Sequence, residues 1–161
     1  MRHTTVAILA LLLSPGLACA QEWKATFVPD KGSRIDYLPK KGGFNGSADS
    51  TPYRFEFIVP ITGDAAKIRL VPTGENTGPS QDYPAVVVHR GEDMITLVLV
   101  YTGTPQPDKF EVYTLYRRAG VGFSSIVSAY IGDRNMKALS ATNPDIPVAS
   151  ASIIPLRQIG K

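Results

Sequence analysis

From Trp23 onward, apolar and aromatic residues come in short segments broken by Gly, Pro, Asn and Asp, the pattern of an all-β domain. Eight segments predict strands: Trp23 to Val28, Tyr53 to Val59, Lys67 to Val71, Ala85 to His89, Met94 to Thr102, Phe110 to Arg117, Val121 to Ile131 and Met136 to Thr142. A ninth runs from Ala151 to Leu156. In YRFEFIV, Tyr53, Phe55, Phe57 and Val59 share one face while Arg54 and Glu56 take the other, which gives a core side and a wet side. VGFSSIVSAYI reads likewise, with Val121, Phe123, Val127, Ala129 and Ile131 opposed by Ser124, Ser128 and Tyr130.

MITLVLVYT has no wet side. Ile95, Leu97, Leu99 and Tyr101 alternate with Met94, Thr96, Val98 and Val100, so both faces are largely apolar. FEVYTLYRR behaves the same way, with Phe110, Val112, Thr114 and Tyr116 against Tyr113 and Leu115. Such strands need a cover on each side, because exposed apolar patches of this kind mark interaction sites. The leading expectation is cover by the C-terminal IPVASASIIPL, through Ile146, Val148, Ile153 and Ile154. A partner protein or second copy, or a closed barrel holding an apolar ligand, would serve instead.

Turn chemistry at RGED, GTPQPD, RAG and GDRN joins consecutive strands and implies a meander of hairpins. Two stretches interrupt it. Pro29 to Pro52 separates the first two strands, and its Ile35, Tyr37, Leu38 and Phe44 suggest a lid or an extra strand. Pro72 to Pro84 is almost wholly turn-formers and reads as a plain connector. The expected fold is a single antiparallel meander β-barrel or curved sandwich of about eight strands. In architecture alone it resembles the calycin-type barrels, such as lipocalins and avidin-like proteins. EWKATF places Trp23 in the first strand, as in lipocalins, but without the glycine that precedes their tryptophan.

The first 20 residues read as an export signal: Arg2, an apolar run from Val6 to Leu13, the breakers Pro15 and Gly16, and Ala18 and Ala20 around Cys19. Cleavage after Ala20 leaves a single domain over 21–161 without cysteine, which must rely on its core. The alternative is a lipoprotein anchored through Cys19, though Gly16 stands where a large aliphatic residue is usual. Either way the expected place is the bacterial periplasm, the cell envelope or the medium. Without Arg2 there are 16 basic and 14 acidic residues, and no cationic run alternates with aromatics as a nucleic-acid groove requires.

Little catalytic chemistry is offered. With one mature histidine, His89, and no cysteine, a zinc site lacks ligands; no calcium loop or nucleotide-binding loop is present, and no cofactor is expected. A hydrolase would need His89 beside a serine and a carboxylate, but the serines of GFSS stand in no G-x-S-x-G elbow. Glu56 and Glu111 form a functional pair only if their strand faces share a cavity. NGS at Asn45 to Ser47 matches a glycosylation acceptor, a motif without meaning in most bacteria. The leading function is therefore an exported, non-enzymatic binding module for a small apolar or amphipathic ligand, with Tyr101, Tyr113, Tyr116 and Arg117 as the contacts. The alternatives are a protein-interaction or inhibitor module of the cell envelope and a hydrolase using His89.

Overall fold

The computed structural model describes residues 21–38, 43–49, 51–75, 78–101, 108–129 and 149–160. Among them are ten strands and no helix: β1 (Glu22–Pro29), β2 (Gly32–Leu38), β3 (Gly43–Asp49), β4 (Tyr53–Pro60), β5 (Ala65–Pro72), β6 (Gln81–Arg90), β7 (Met94–Tyr101), β8 (Asp108–Tyr116), β9 (Val121–Ala129) and β10 (Ala149–Ile159). Eight of these, β1 and β4 to β10, pair in succession, and β10 returns to β1 with Leu156 to Ile159 against Pro29 to Thr26. All pairs are antiparallel, and because β10 pairs back to β1 the wall is a closed barrel rather than a sandwich. The expected strand Met136 to Thr142 lies outside the described residues; the expected ninth strand is β10.

Within the stretch from Pro29 to Pro52, β2 and β3 pair with each other antiparallel. Between the pairs Pro29 with Leu156 and Ser33 with Ile153, the β1–β2 side has one residue more than β10, which makes a bulge. Pro155 lies at this point and has no N–H to give, while the Asp30 N–H donates to its carbonyl at 2.9 Å. β2 thus continues β1 past the bend along the other half of β10, and β3 returns beside it toward β4. Gly32 is required here: a Cβ would stand 2.4 Å from the Ile153 carbonyl oxygen.

β1, β5, β7 and β9 all finish at one end, here the upper, from which the β2–β3 hairpin projects. Tight turns close the lower end. The Arg90 guanidinium donates to the Pro60 and Gly63 carbonyls at 2.6 and 2.8 Å, drawing the β4–β5 turn onto β6. At Gly120, φ is +66°, the left-handed conformation that lets its N–H close back on Tyr116 at 2.9 Å. The connector between β5 and β6 is shorter than expected: Gln81 to Pro84 belong to β6, held by the pairs Leu70 with Gln81 and Arg69 with Asp82.

Phe27, Phe57, Val59, Ile68, Ile95, Leu97, Leu115, Ile154 and Leu156 fill the inside and are shut off from solvent. Phe27 meets Phe57 edge-on at 5.5 Å, and the Tyr113 ring lies 5.3 Å from Phe57. An eight-strand barrel has room for about this much side chain.

β9 faces the opposite way from its expected orientation. Ser124 and Ser128 point inward and are buried, whereas Val121, Phe123 and Val127 stand outside. The register decides this: Ser124 is opposite Tyr113 of β8 and Ile154 of β10, both interior, and directly opposed residues share a face. Opposite a ring as large as Tyr113, a serine fits where a phenylalanine would overfill the barrel.

The outside has two halves. Across β1, β4, β5 and the start of β6 it is ionic, with Lys24 and Glu22 at 3.0 Å, Arg54 and Glu56 at 3.4 Å, and Arg69 and Lys67 on Asp82 at 2.6 and 3.2 Å. Over the upper part of β7 to β10 and β2 it is apolar. One register row runs Val100, Phe110, Val127, Ala151, Ile35, and a second Val98, Val112, Ser125, Ile153. The expected cover by the C-terminal segment does not form: β10 joins the wall, turns Ile154 and Leu156 inward, and leaves Ile153 exposed on the same belt. Ile146 and Val148 lie outside the described residues.

Candidate functional site

The barrel interior changes character toward its upper end. Below, the side chains are aliphatic and phenylalanine; above, carboxyl and hydroxyl groups take their place. Glu111 of β8 sits between Leu99 of β7 and Ile126 of β9 in register, faces inward, and is only 7% exposed. Tyr113, two residues on and on the same face, donates its hydroxyl to Glu111 Oε2 at 2.5 Å. Tyr83 of β6 is close enough for its phenol pKa to be raised, first by burial, then by the Glu111 charge, then by Tyr53 of β4. The Tyr83 hydroxyl also donates to Gln81 Oε1.

The adjoining wall, on β9 and β10, is a row of serines. Ser128 and Ser150 share a hydrogen bond at 2.6 Å, Ser152 is buried beside them, and the fully buried Ser124 Oγ has no partner among the described residues. The row continues onto the hairpin, because Ser150 is opposite Asp36 and Ser152 opposite Arg34. There Arg34 Nε donates to Asp36 Oδ1 at 2.7 Å. β4, β6, β8, β9, β10 and β2 each contribute a polar side chain to one inner surface. The fold makes this arrangement by alternation alone, since every second residue of a barrel strand points inward.

The structure does not gather the four residues expected to bind ligand. Tyr113 lies inside, packed in the core and bonded to Glu111. Tyr116 is half-buried on the outer face of β8. Arg117 belongs to the lower turns, where its guanidinium donates to the Gly91 carbonyl at 2.7 Å and to that of Glu92. Tyr101 ends β7 opposite Lys109, and its side chain lies outside the described residues. Glu56 and Glu111 do not form a pair, because Glu56 is on the outer wall with Arg54 and Arg69 and Glu111 is inside. His89 is exposed next to a register shift in β6. Three strand spacings, about 14 Å, separate β6 from β9, which keeps His89 from Ser124 and Ser125. Among the described residues no group of three His, Cys, Asp or Glu side chains is placed to hold a metal.

Tyr53, Tyr83, Arg34, Asp36 and the serines were not singled out by sequence reading as site residues. A usable signal existed for Tyr83, since QDYPAVV alternates in step with the rest of β6. For the serines the sequence pointed to the wrong side.

Comparison with known proteins finds no family model that matches the chain and no curated protein of significant similarity.

Proposed function

We propose that this chain is an exported, non-enzymatic binding module that holds a small amphipathic ligand at the upper end of its barrel. The observation that carries this reading is the division of the interior, apolar below and lined above by Glu111, Tyr113, Tyr83 and four serines. Buried polar groups are costly unless bonded, by about 1–3 kcal/mol each, so a fold that collects them at one end is suited to a ligand with a polar head and an apolar body. Export to the cell envelope belongs to the same proposal and rests on the signal-like residues 1–20.

The test is native mass spectrometry of the mature protein purified gently from its own envelope fraction, repeated after denaturation. Extra mass that disappears on denaturation is the expected result. A bare protein mass under native conditions would overturn the reading.

The apolar half of the outer wall favours a second role, a surface by which two copies pair. Its two register rows cross β7 to β10 with no charge in them, whereas the other half of the wall carries the ion pairs. Those ion pairs set the ionic half apart from any lipid-facing surface, since a charge turned to the middle of a bilayer costs about 2–4 kcal/mol.

A further inference from the structure

We propose that the outer edge of β3 is an interaction surface whose partner is the β3 edge of a second copy, paired antiparallel about a two-fold axis at Gly46. Among the described residues β3 stands last in the sheet order and pairs with β2 alone, while the eight barrel strands close on one another. An open edge presents the N–H and C=O groups of alternate residues, and what fits such a row is another extended strand. Proteins usually blunt an edge with lysine, proline or a bulge. Asn45, Gly46, Ser47 and Ala48 are all exposed, include neither residue, and run in unbroken register along β2. The seam is separate from the apolar belt, since it joins backbone groups at an edge and not side chains on a face.

The side chains select a second copy and the centre at Gly46. Two-fold pairing of an edge keeps outer face with outer face and inner with inner. Asn45 is opposite Asp36 and Ser47 opposite Arg34 on the inner face, while Ile35 and Gly46 share the outer. Centred on Gly46, Asn45 of each copy meets Ser47 of the other, amide against hydroxyl, and each inner row has Asp36 at one end and Arg34 at the other. A centre at Asn45 would place Asp36 at both ends of a row, and a centre at Ser47 would place Arg34 at both. On the outer face Gly46 meets its own equivalent, where nothing stands within 4 Å of an added Cβ. The apolar row that ends in Ile35 thus runs on into that of the second copy. One short strand buries less than the roughly 1,200 Å² of a stable interface, so the contact forms and parts readily.

The experiment traps the contact as a disulfide. Residues 21–161 contain no cysteine, so an introduced one is the sole thiol of the mature chain. Gly46→Cys is accommodated, because the position is open and its φ is not positive. Directly opposed residues have Cα atoms about 4.5–5.5 Å apart, within the about 4.4–6.8 Å that a disulfide spans. Each variant also carries Phe110→Glu, which disables the belt, and is exposed to oxidised glutathione at micromolar protein concentration. Gly46→Cys should form linked dimer at least tenfold faster than Asn45→Cys, whose two copies would lie two residues apart along the seam. It should outpace by the same factor Val86→Cys, at an exposed position on β6. Linking of Gly46→Cys no faster than of Val86→Cys would overturn the pairing. Equal rates for Gly46→Cys and Asn45→Cys would overturn its centre at Gly46.

Discussion

Asp82 and Glu111 are two acidic residues put to different use by their surroundings. Asp82 is exposed, and hydrogen bonds from Arg69 and then Lys67 hold its carboxyl down to about 2, against an ordinary 3.8. The native state thus binds its proton less readily than the unfolded chain does. The stabilisation is fully present above the ordinary value and is lost as pH falls through about 2. Because the pair is solvent-exposed, its contribution is small and weakens with salt. Arg69→Gln should move the Asp82 midpoint up toward its ordinary value in a carbon-detected NMR titration; a midpoint still near 2 would remove Arg69 as the cause. Glu111, by contrast, has its carboxyl oriented by Tyr113 within the barrel. At this scale the sequence supplied residue types but not sides of the wall. Tyr113 lies inside the barrel, and nothing local in the sequence distinguishes a core tyrosine that orients a carboxyl from one that meets ligand.

Strand positions were legible at the scale of elements because alternation and turn residues are local. YRFEFIV buries Phe55, Phe57 and Val59 as its pattern requires. The β2–β3 hairpin was less so, since its exposed residues, among them Ile35, Ser47 and Ala48, follow no core-and-wet alternation. Its place comes from β10, whose eleven residues outrun β1 and need a further partner. The junction depends on Gly32. Gly32→Val would force side-chain carbons onto the Ile153 carbonyl and the Ile154 side chain, an overpacking that costs about 1–3 kcal/mol. Hydrogen exchange should then quicken in β2 and β3 while β4 to β8 keep their protection, and the urea midpoint should fall. Unchanged exchange in β2 would mean that the close approach at Gly32 does not hold the hairpin.

At the scale of the whole molecule, the apolar outer belt is the surface on which two copies would meet. If two copies pair there, the wild-type protein should sediment as a dimer at micromolar concentration, and Phe110→Glu, at an exposed position within one row, should give a folded monomer. A wild-type monomer at the same concentration would rule out the pairing. The doubly apolar character of β7 and β8 was plain from sequence, since it needs only the count of residues on each parity. What lay on either side was not. The inner face meets the barrel core and the outer face belongs to the belt, a distinction made by strand pairs as distant as Thr26 with Ile159. The sequence by itself determined that the chain is all-β, where most strands run, and which positions share a parity, because these follow from backbone geometry over a few residues. Only the tertiary structure decided which parity points inward, and with it that Ser124 and Ser128 rather than Phe123 and Val127 face Glu111's side of the wall. Closure forces each strand to match its neighbours' interior volume, and that constraint is not present in any one strand.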